Sequence, residues 1–188
     1  MTVLQPAYPI ETERLRLRPY TPDDFDAFYS MQSRPDVVRY LYWGVRTADE
    51  VRETLATKVT KRGAIQHEGE GLQLALQLPQ SGVIVGDVVL VWVSEEHQAG
   101  EIGYVLHPDH QGNGYATEAC RVMLRLGFEE LGLHRIVARC DARNTGSWGV
   151  MERLGMRREA HLRENEFVKG EWCDELVYAM LASEWQAR

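Results

Sequence analysis

The sequence predicts a single α/β (α+β) domain: a mixed, mostly antiparallel central sheet with helices packed against it. Short stretches of strict apolar–polar alternation, as in half-buried strands, are interleaved with stretches whose apolar residues recur every three or four positions, as in amphipathic helices. Three strand-like stretches between Leu72 and Leu106 are separated only by short turns, and the simplest arrangement is antiparallel. The next one is reached through a long helical stretch, and strand–helix–strand implies a parallel crossover. A chain of 188 residues, 44% hydrophobic and 26% charged, is sized for one such domain. No repeat, low-complexity tract or linker divides it, so one domain spans 1–188, with a core from about 10 to 183.

Thr12 to Pro19 alternates Leu15 and Leu17 with Arg14, Arg16 and Arg18, which predicts a strand. Thr21-Pro22-Asp23-Asp24 starts a helix: threonine caps it, proline suits its first position and the aspartates suit its positive end. That helix carries Phe25, Phe28, Tyr29 and Met31, and Pro35 breaks it. Thr47 and Glu50 form a capping box for a second helix, running to about Lys61 with Val51, Leu55 and Val59 on its apolar stripe. Gly63 to Gly71 is a loop. Strands follow at Leu72–Leu78, Val83–Val93 and Glu101–Leu106. Ala116, Ala119, Cys120, Met123, Leu124, Gly127 and Leu131 keep helical spacing until Gly132. A strand at Ile136–Cys140 and a helix at Asn144–Leu154 lead to a hairpin, Arg157–Val168 and Trp172–Leu181, turning at Lys169-Gly170.

The net charge, 21 − 28 = −7, gives no pull toward nucleic acid or anionic membrane and suits a cationic partner such as an amine. The three cysteines, Cys120, Cys140 and Cys173, are odd in number and widely spaced, which disfavours a disulfide framework and a structural zinc site. Cys120 and Cys140 are expected in the core. His107 and His110 have no second ligand pair, so no metal is expected. Trp43, Trp92, Trp148 and Trp172 are expected in packing, and Arg157, Arg158 and Arg163 on a solvated strand face. The N-terminus lacks the pattern of a signal peptide and no apolar run could span a bilayer, so a soluble, cytoplasmic protein is expected.

The chemistry is concentrated in Gly103–Ala119, GYVLHPDHQGNGYATEA. A strand ends at Leu106, a tight loop holds Gly112 and Gly114, and a long helix begins near Tyr115. Such a loop aims unpaired backbone N–H groups at one point, where the helix dipole adds positive potential: an anion cradle, best suited to a diphosphate. Thr117 stands where a dinucleotide fingerprint has its third small residue, and the lysine of a nucleotide-phosphate loop is missing. NAD and ATP therefore fit poorly.

Gln111, Gly114 and Ala116 in the pattern Gln-x-x-Gly-x-Ala resemble the acetyl-CoA pyrophosphate loop of the GNAT N-acetyltransferase superfamily. Asn144-Thr145-Gly146-Ser147 with Leu154-Gly155-Met156 resembles its second CoA motif, and ETERLRLRPYTPDD its first strand and helix. Phe167 to Asp174, continuing to Tyr178 and Leu181, resembles the closing hairpin of the Rim-type branch, which acetylates ribosomal-protein N-termini. The resemblance covers nearly the whole chain. It implies a sheet splayed open between the strands ending near Leu106 and Cys140, flanked by helices on both faces, with acetyl-CoA in the cleft. Gln111, Gly112, Asn113, Gly114, Tyr115, Ala116 and Thr117 would hold the pyrophosphate, the strand edge at Tyr104, Val105 and Leu106 would pair with the pantetheine, and Asn144 would bond its arm.

Acetyl transfer to an amine needs a neutral amine, a stabilised oxyanion and a proton for the departing thiolate. Many superfamily members place a tyrosine seven positions after the motif asparagine as the acid; here that residue is Met151, which has no proton to give. By resemblance to the Rim-type branch, Ser147 becomes the thiolate donor and Glu166 the base or amine anchor, with Glu101 as the other carboxylate. Tyr40 to Trp43 would line the acceptor groove. The acceptor expected is a protein or peptide N-terminal amine; the alternatives are a small amine (an aminoglycoside, polyamine or amino-acid derivative) and a CoA-binding sensor without turnover. The chain is expected to act as a monomer or homodimer.

Overall fold

The computed structural model describes residues 4–61 and 63–187. In chain order the strands are β1 (Ile10–Glu11), β2 (Arg16–Arg18), β3 (Gly71–Gln77), β4 (Ile84–Ser94), β5 (Ala99–Leu106), β6 (Arg135–Asp141), β7 (Arg157–Val168) and β8 (Glu171–Leu181). The helices are α1 (Phe25–Gln32), α2 (Pro35–Val38), α3 (Ala48–Thr60), α4 (Tyr115–Arg125), α5 (Thr145–Arg153) and α6 (Ala182–Gln186). The eight strands form one sheet in the order β1-β2-β3-β4-β5-β6-β8-β7. Every neighbouring pair is antiparallel except β5 and β6, which are joined through α4 and run parallel.

Strand alternation divides the apolar residues between two cores. Leu72, Leu74, Val88, Leu90 and Ile102 pack with Ala119, Cys120, Met123 and Leu124 of α4 in the larger one. On the opposite face Ala75 and Ile84 meet Phe28 and Met31 of α1 and Val51 and Leu55 of α3. Fully burying each large side chain contributes about 1.5–3 kcal/mol, so the sheet is held by helices on both faces, as expected.

Several elements depart from the sequence pattern. The strand expected over Thr12–Pro19 is only Arg16–Arg18. Thr12 instead closes a tight turn, its N–H donating to the Leu15 carbonyl at 2.8 Å, and β1 folds back so that Ile10 pairs with Leu17. Pro35 ends one helix and also opens α2, where its missing N–H costs nothing. The helix after Tyr115 is α-helical only to Arg125; Leu126–Glu130 widens into a π turn. Gly127 lies there, and a Cβ on it would stand 2.6 Å from Ile136 Cδ1, so the widened turn sits directly on β6. The chain also continues past the expected hairpin into α6, where Trp185 stacks on Phe128 with centroids 5.9 Å apart.

Trp92 is buried, but Trp172 is 60% exposed. It pairs with Phe167 on the outer face of the β7–β8 hairpin, 5.2 Å between centroids, because its neighbours Glu171 and Cys173 take the inward positions. Arg157, Arg158 and Arg163 are exposed, as expected. The three cysteines are free and buried. Burial pushes the Cys120 thiol far up and the Cys140 thiol up to about 11, so both stay protonated. No helix among the described residues is long and apolar enough to cross a membrane.

Candidate active site

The sheet opens along one seam. β4 and β5 stay paired to Gly86–Leu106, whereas β5 and β6 are paired only from Ala99–Arg135 to Glu101–Val137. β6 meanwhile stays with β8 to Asp141–Glu175. From Ile102 and Ala138 onward the two parallel strands diverge, and the facing edge of β5 is left without a strand partner. The loop after β5 and the start of α5 sit at the mouth of this wedge.

Gly112 and Gly114 adopt φ +79° and +81°, a region that L side chains rarely enter. Gly114 is the N-cap of α4, so the first backbone N–H groups of that helix point out of the loop. Three long-range bonds brace it. Arg14 donates from Nη1 to the Asn113 carbonyl at 2.8 Å and from Nε to Glu118 at 2.8 Å, and Thr12 Oγ1 donates to Glu118 at 2.6 Å. Burial pushes Glu118 up, but these bonds outweigh it and hold its carboxyl below the usual range. Gln111 Nε2 donates to the Leu106 carbonyl at 3.3 Å.

A groove of about 620 Å³ runs along the wedge, lined by Tyr104, Val105 and Leu106, by Gln111 to Gly114, by Ala116 and Thr117, and by Asn144 and Ser147. These include every cofactor residue expected from the sequence except Tyr115. The Tyr115 ring instead lies under the Arg14 guanidinium, 5.2 Å from centroid to Cζ. The groove fits a diphosphate-bearing ligand on its own terms. A Cβ at Gly112 would meet nothing within 4 Å, leaving the backbone open to close approach, and Thr117 Oγ1 is buried with no hydrogen-bond partner among the described residues.

A second hollow, of about 310 Å³, lies on the hairpin side. Tyr40, Leu41, Tyr42 and Trp43 form one wall, β5 and β6 the floor, and the inward residues of β7 and β8 the other wall. Lys169 closes the top: its ammonium donates to the carbonyls of Val38 and Arg39 at the end of α2. Lys169 and Gly170, at φ +53° and +87°, make the two-residue turn expected there. Glu101 and Glu166, both expected from the sequence, line this hollow. So do Asp87 and Glu175, which sequence reasoning missed. Arg139 bridges Glu101 and Glu175 at 3.4 Å each. Burial raises the Glu101 carboxyl above its ordinary range, Arg139 opposing.

The two hollows meet at Tyr104, Val105, Asn144 and Ser147, beside Tyr40 and Leu41. Asn144 caps α5, its Oδ1 accepting the Ser147 N–H at 3.2 Å. The Tyr104 phenol donates to the Ser147 carbonyl at 2.8 Å and lies 3.0 Å from Ser147 Oγ. Burial pushes that phenol far above the ordinary tyrosine range. Met151 is 1% exposed in the core and lines neither hollow. Among the described residues no group of three or more His, Cys, Asp or Glu could hold a metal.

A mixed sheet split into a wedge, with a glycine loop and a helix N-terminus at its mouth, leaves a groove between two parallel strands with room for a diphosphate-bearing ligand. Residues 14–157 match the model of the Acetyltransferase (GNAT) domain, and the chain belongs to that family. It is an acetyl-CoA-dependent N-acetyltransferase. It is 33% identical to the uncharacterized N-acetyltransferase YnaD of Bacillus subtilis, over 94% of this chain and 98% of the relative. It matches the crystal structure of a GNAT-family acetyltransferase from Bacillus anthracis with a TM-score of 0.83 at 34% identity, covering 93% of this chain and 99% of the other. YdaF of B. subtilis, provisionally named a ribosomal N-acetyltransferase, is 27% identical over 93% of this chain and 94% of its own. The spermidine N(1)-acetyltransferase of Escherichia coli is 23% identical over 84% and 81%.

Proposed function

We propose that the chain transfers the acetyl group of acetyl-CoA to the N-terminal amine of a peptide or protein. The two hollows meet at Tyr104 and Ser147, and that juxtaposition carries the proposal: a thioester held in the groove and an amine held in the hairpin-side hollow come within reach of one another there. In the groove, the N–H groups from Gly112 to Thr117 hold the pyrophosphate, the open edge of β5 at Tyr104–Leu106 pairs with the pantetheine amides, and the Asn144 side chain bonds its arm. Bound acetyl-CoA supplies the activated acyl group and a thiolate leaving group.

This chain's own residues supply the rest. Ser147 Oγ, 3.0 Å from the Tyr104 phenol oxygen, turns its proton from that oxygen to the departing sulfur and regains one from water. The incoming ammonium loses its proton to Glu101 or Glu166, directly or through water. A peptide α-amine, with a pKa of about 7.7–8.0, needs far less help than a lysine at about 10.4. A hollow of about 310 Å³ sits at the small end of ligand pockets, and it suits the first residue or two of a chain.

The carboxylates of Asp87, Glu101, Glu166 and Glu175 around that hollow favour a second reading, a small polyamine. Acetyl-CoA-dependent CoA release separates the two. The acceptor panel holds peptides with free Ala or Ser N-termini, N-blocked lysine peptides, polyamines and aminoglycosides. Turnover on free N-termini that is lost on blocking supports the peptide reading. Turnover only on small amines replaces it, and no turnover despite acetyl-CoA binding leaves a sensor.

A further inference from the structure

Asp87 is 3% exposed and stands in the middle of the sheet on β4. A buried carboxylate needs donors on both oxygens. All its protein contacts converge on one. Oδ2 accepts from the Tyr20 hydroxyl at 3.0 Å and from Gln73 Nε2 at 3.1 Å, and the Lys58 ammonium approaches the same atom at 3.8 Å. Among the described residues no group donates to Oδ1. Oδ1 is not sealed either: the side-chain polar atoms both sealed and unpartnered there are Trp92 Nε1 and Thr117 Oγ1. Asp87 lines the hairpin-side hollow, and Oδ1 is the oxygen with hydrogen-bonding capacity left to offer there.

The register fixes where on the floor it sits. Asp87 pairs with Val105, one strand away from the point where the two hollows meet. Glu101 pairs with Val91, on the same face and four residues along β5 from Val105, about 13 Å at strand rise. Between them lie Gly103 and its strand partner Val89, whose Cγ1 would stand 3.2 Å from a Cβ at Gly103, so the floor there is low and apolar. We propose that Asp87 binds a second cationic group of the acceptor, distinct from the amine that is acetylated. It does so by accepting an ammonium or guanidinium N–H on Oδ1. For the peptide acceptor on which this inference rests, that group is a basic side chain next to the N-terminal residue.

The experiment compares matched acceptors that differ only in the second charge: peptides with lysine or norleucine at the second position, and 1,5-diaminopentane against pentylamine. In the wild type the lysine peptide is expected to have a KM about tenfold or more below the norleucine peptide, the scale of one charge-assisted hydrogen bond. Asp87→Asn, which keeps the shape, is expected to erase that difference while KM for acetyl-CoA and for the norleucine peptide stays within about twofold. A merely structural role would move both peptides alike. Calorimetric binding of the two small amines to the CoA-loaded wild type and Asp87→Asn gives a readout without turnover. If neither peptide reacts but the diamine binds the wild type the tighter of the two and Asp87→Asn erases that preference, Asp87 keeps its role and the peptide acceptor falls; a preference that survives in Asp87→Asn overturns the inference. Equal KM for the two peptides, or equal binding of the two amines where no peptide reacts, overturns the inference and leaves the transferase assignment standing.

Discussion

The Tyr104 phenol oxygen lies 2.8 Å from the Ser147 carbonyl and 3.0 Å from the Ser147 hydroxyl. A phenol has one proton and the carbonyl is its nearer acceptor, so the serine proton rests on the phenol oxygen until a stronger acceptor, such as a thiolate, draws it away. The pair stands where the two hollows join, and it supplies a hydroxyl that Met151, buried a turn further along α5, has no means to provide.

Ser147→Ala is expected to lower kcat by about 10²-fold, the low end of general acid catalysis, with KM for acetyl-CoA little changed. Tyr104→Phe, which keeps the ring but not the oxygen, should cost about tenfold, and the double variant should be no slower than Ser147→Ala alone. Steady-state kinetics on the three variants checks this. Wild-type kcat in Ser147→Ala ends the donor assignment.

Glu101 carries a pH signature. Its carboxyl is raised by burial, so the acidic limb of kcat/KM should lie above the ordinary carboxylate value and flatten in Glu101→Gln. A limb that survives in Glu101→Gln but vanishes in Glu166→Gln makes Glu166 the base. Folding favours the protonated form of a carboxyl with a raised pKa. Its contribution to stability is present below the unfolded pKa and is lost as pH rises through the folded one. Glu101→Gln should therefore melt no lower than the wild type at pH 7.

Arg14→Ala removes the brace on the Asn113 carbonyl and loosens Glu118. KM for acetyl-CoA should rise about tenfold with a smaller change in kcat, the loss of roughly one charge-assisted bond's worth of ordering. Titration of the variant with CoA by thermal shift should show the same weakening. Unchanged affinity would make the brace irrelevant to the cradle.

Asp24 tests the scaffold beneath the site. It is 5% exposed and takes a two-pronged bond from Arg18, at 2.7 and 2.8 Å. Burial pushes its carboxyl up, but Arg18 and the Thr21 N–H and hydroxyl prevail and lower it. Its contribution is present above the unfolded pKa of about 3.9 and is lost as pH falls through the folded value. Asp24→Ala should cost about 3 kcal/mol at pH 7, roughly 6–12 °C in Tm, and the gap should narrow below about pH 4. A gap that stays constant down to pH 3 contradicts this.

Local features of the chain were legible in the sequence, and features set by distant residues were not. The glycine loop, the Thr47 capping box and the Lys169-Gly170 turn each announce themselves within a few residues, and all three are present. The parallel step from β5 to β6 follows from the helix between them. Arg14 is different, because its partners Asn113 and Glu118 lie 99 and 104 positions away. Read locally, Arg14 is one more polar residue of an alternating strand. Asp87 sits in a run of valines whose pattern says only that the strand is buried, and Glu175 is one of several acids in the closing hairpin until Arg139 and the hollow single it out. Trp172 misled for a related reason: an aromatic ring is usually packed, but the hairpin's pleat turned this one outward.

The bond from Lys169 to the Val38 and Arg39 carbonyls has a topological consequence. With the hairpin tip fastened to the end of α2, the hollow beneath is a hoop rather than a trough. A hoop can be threaded by a free end but not by the middle of a chain, however well that middle would fit. While the clasp is shut, only a slender free end can pass, and a bulky group behind it has to stay outside the ring. Discrimination of this kind is set by the shape of the entrance before any contact with the floor is made.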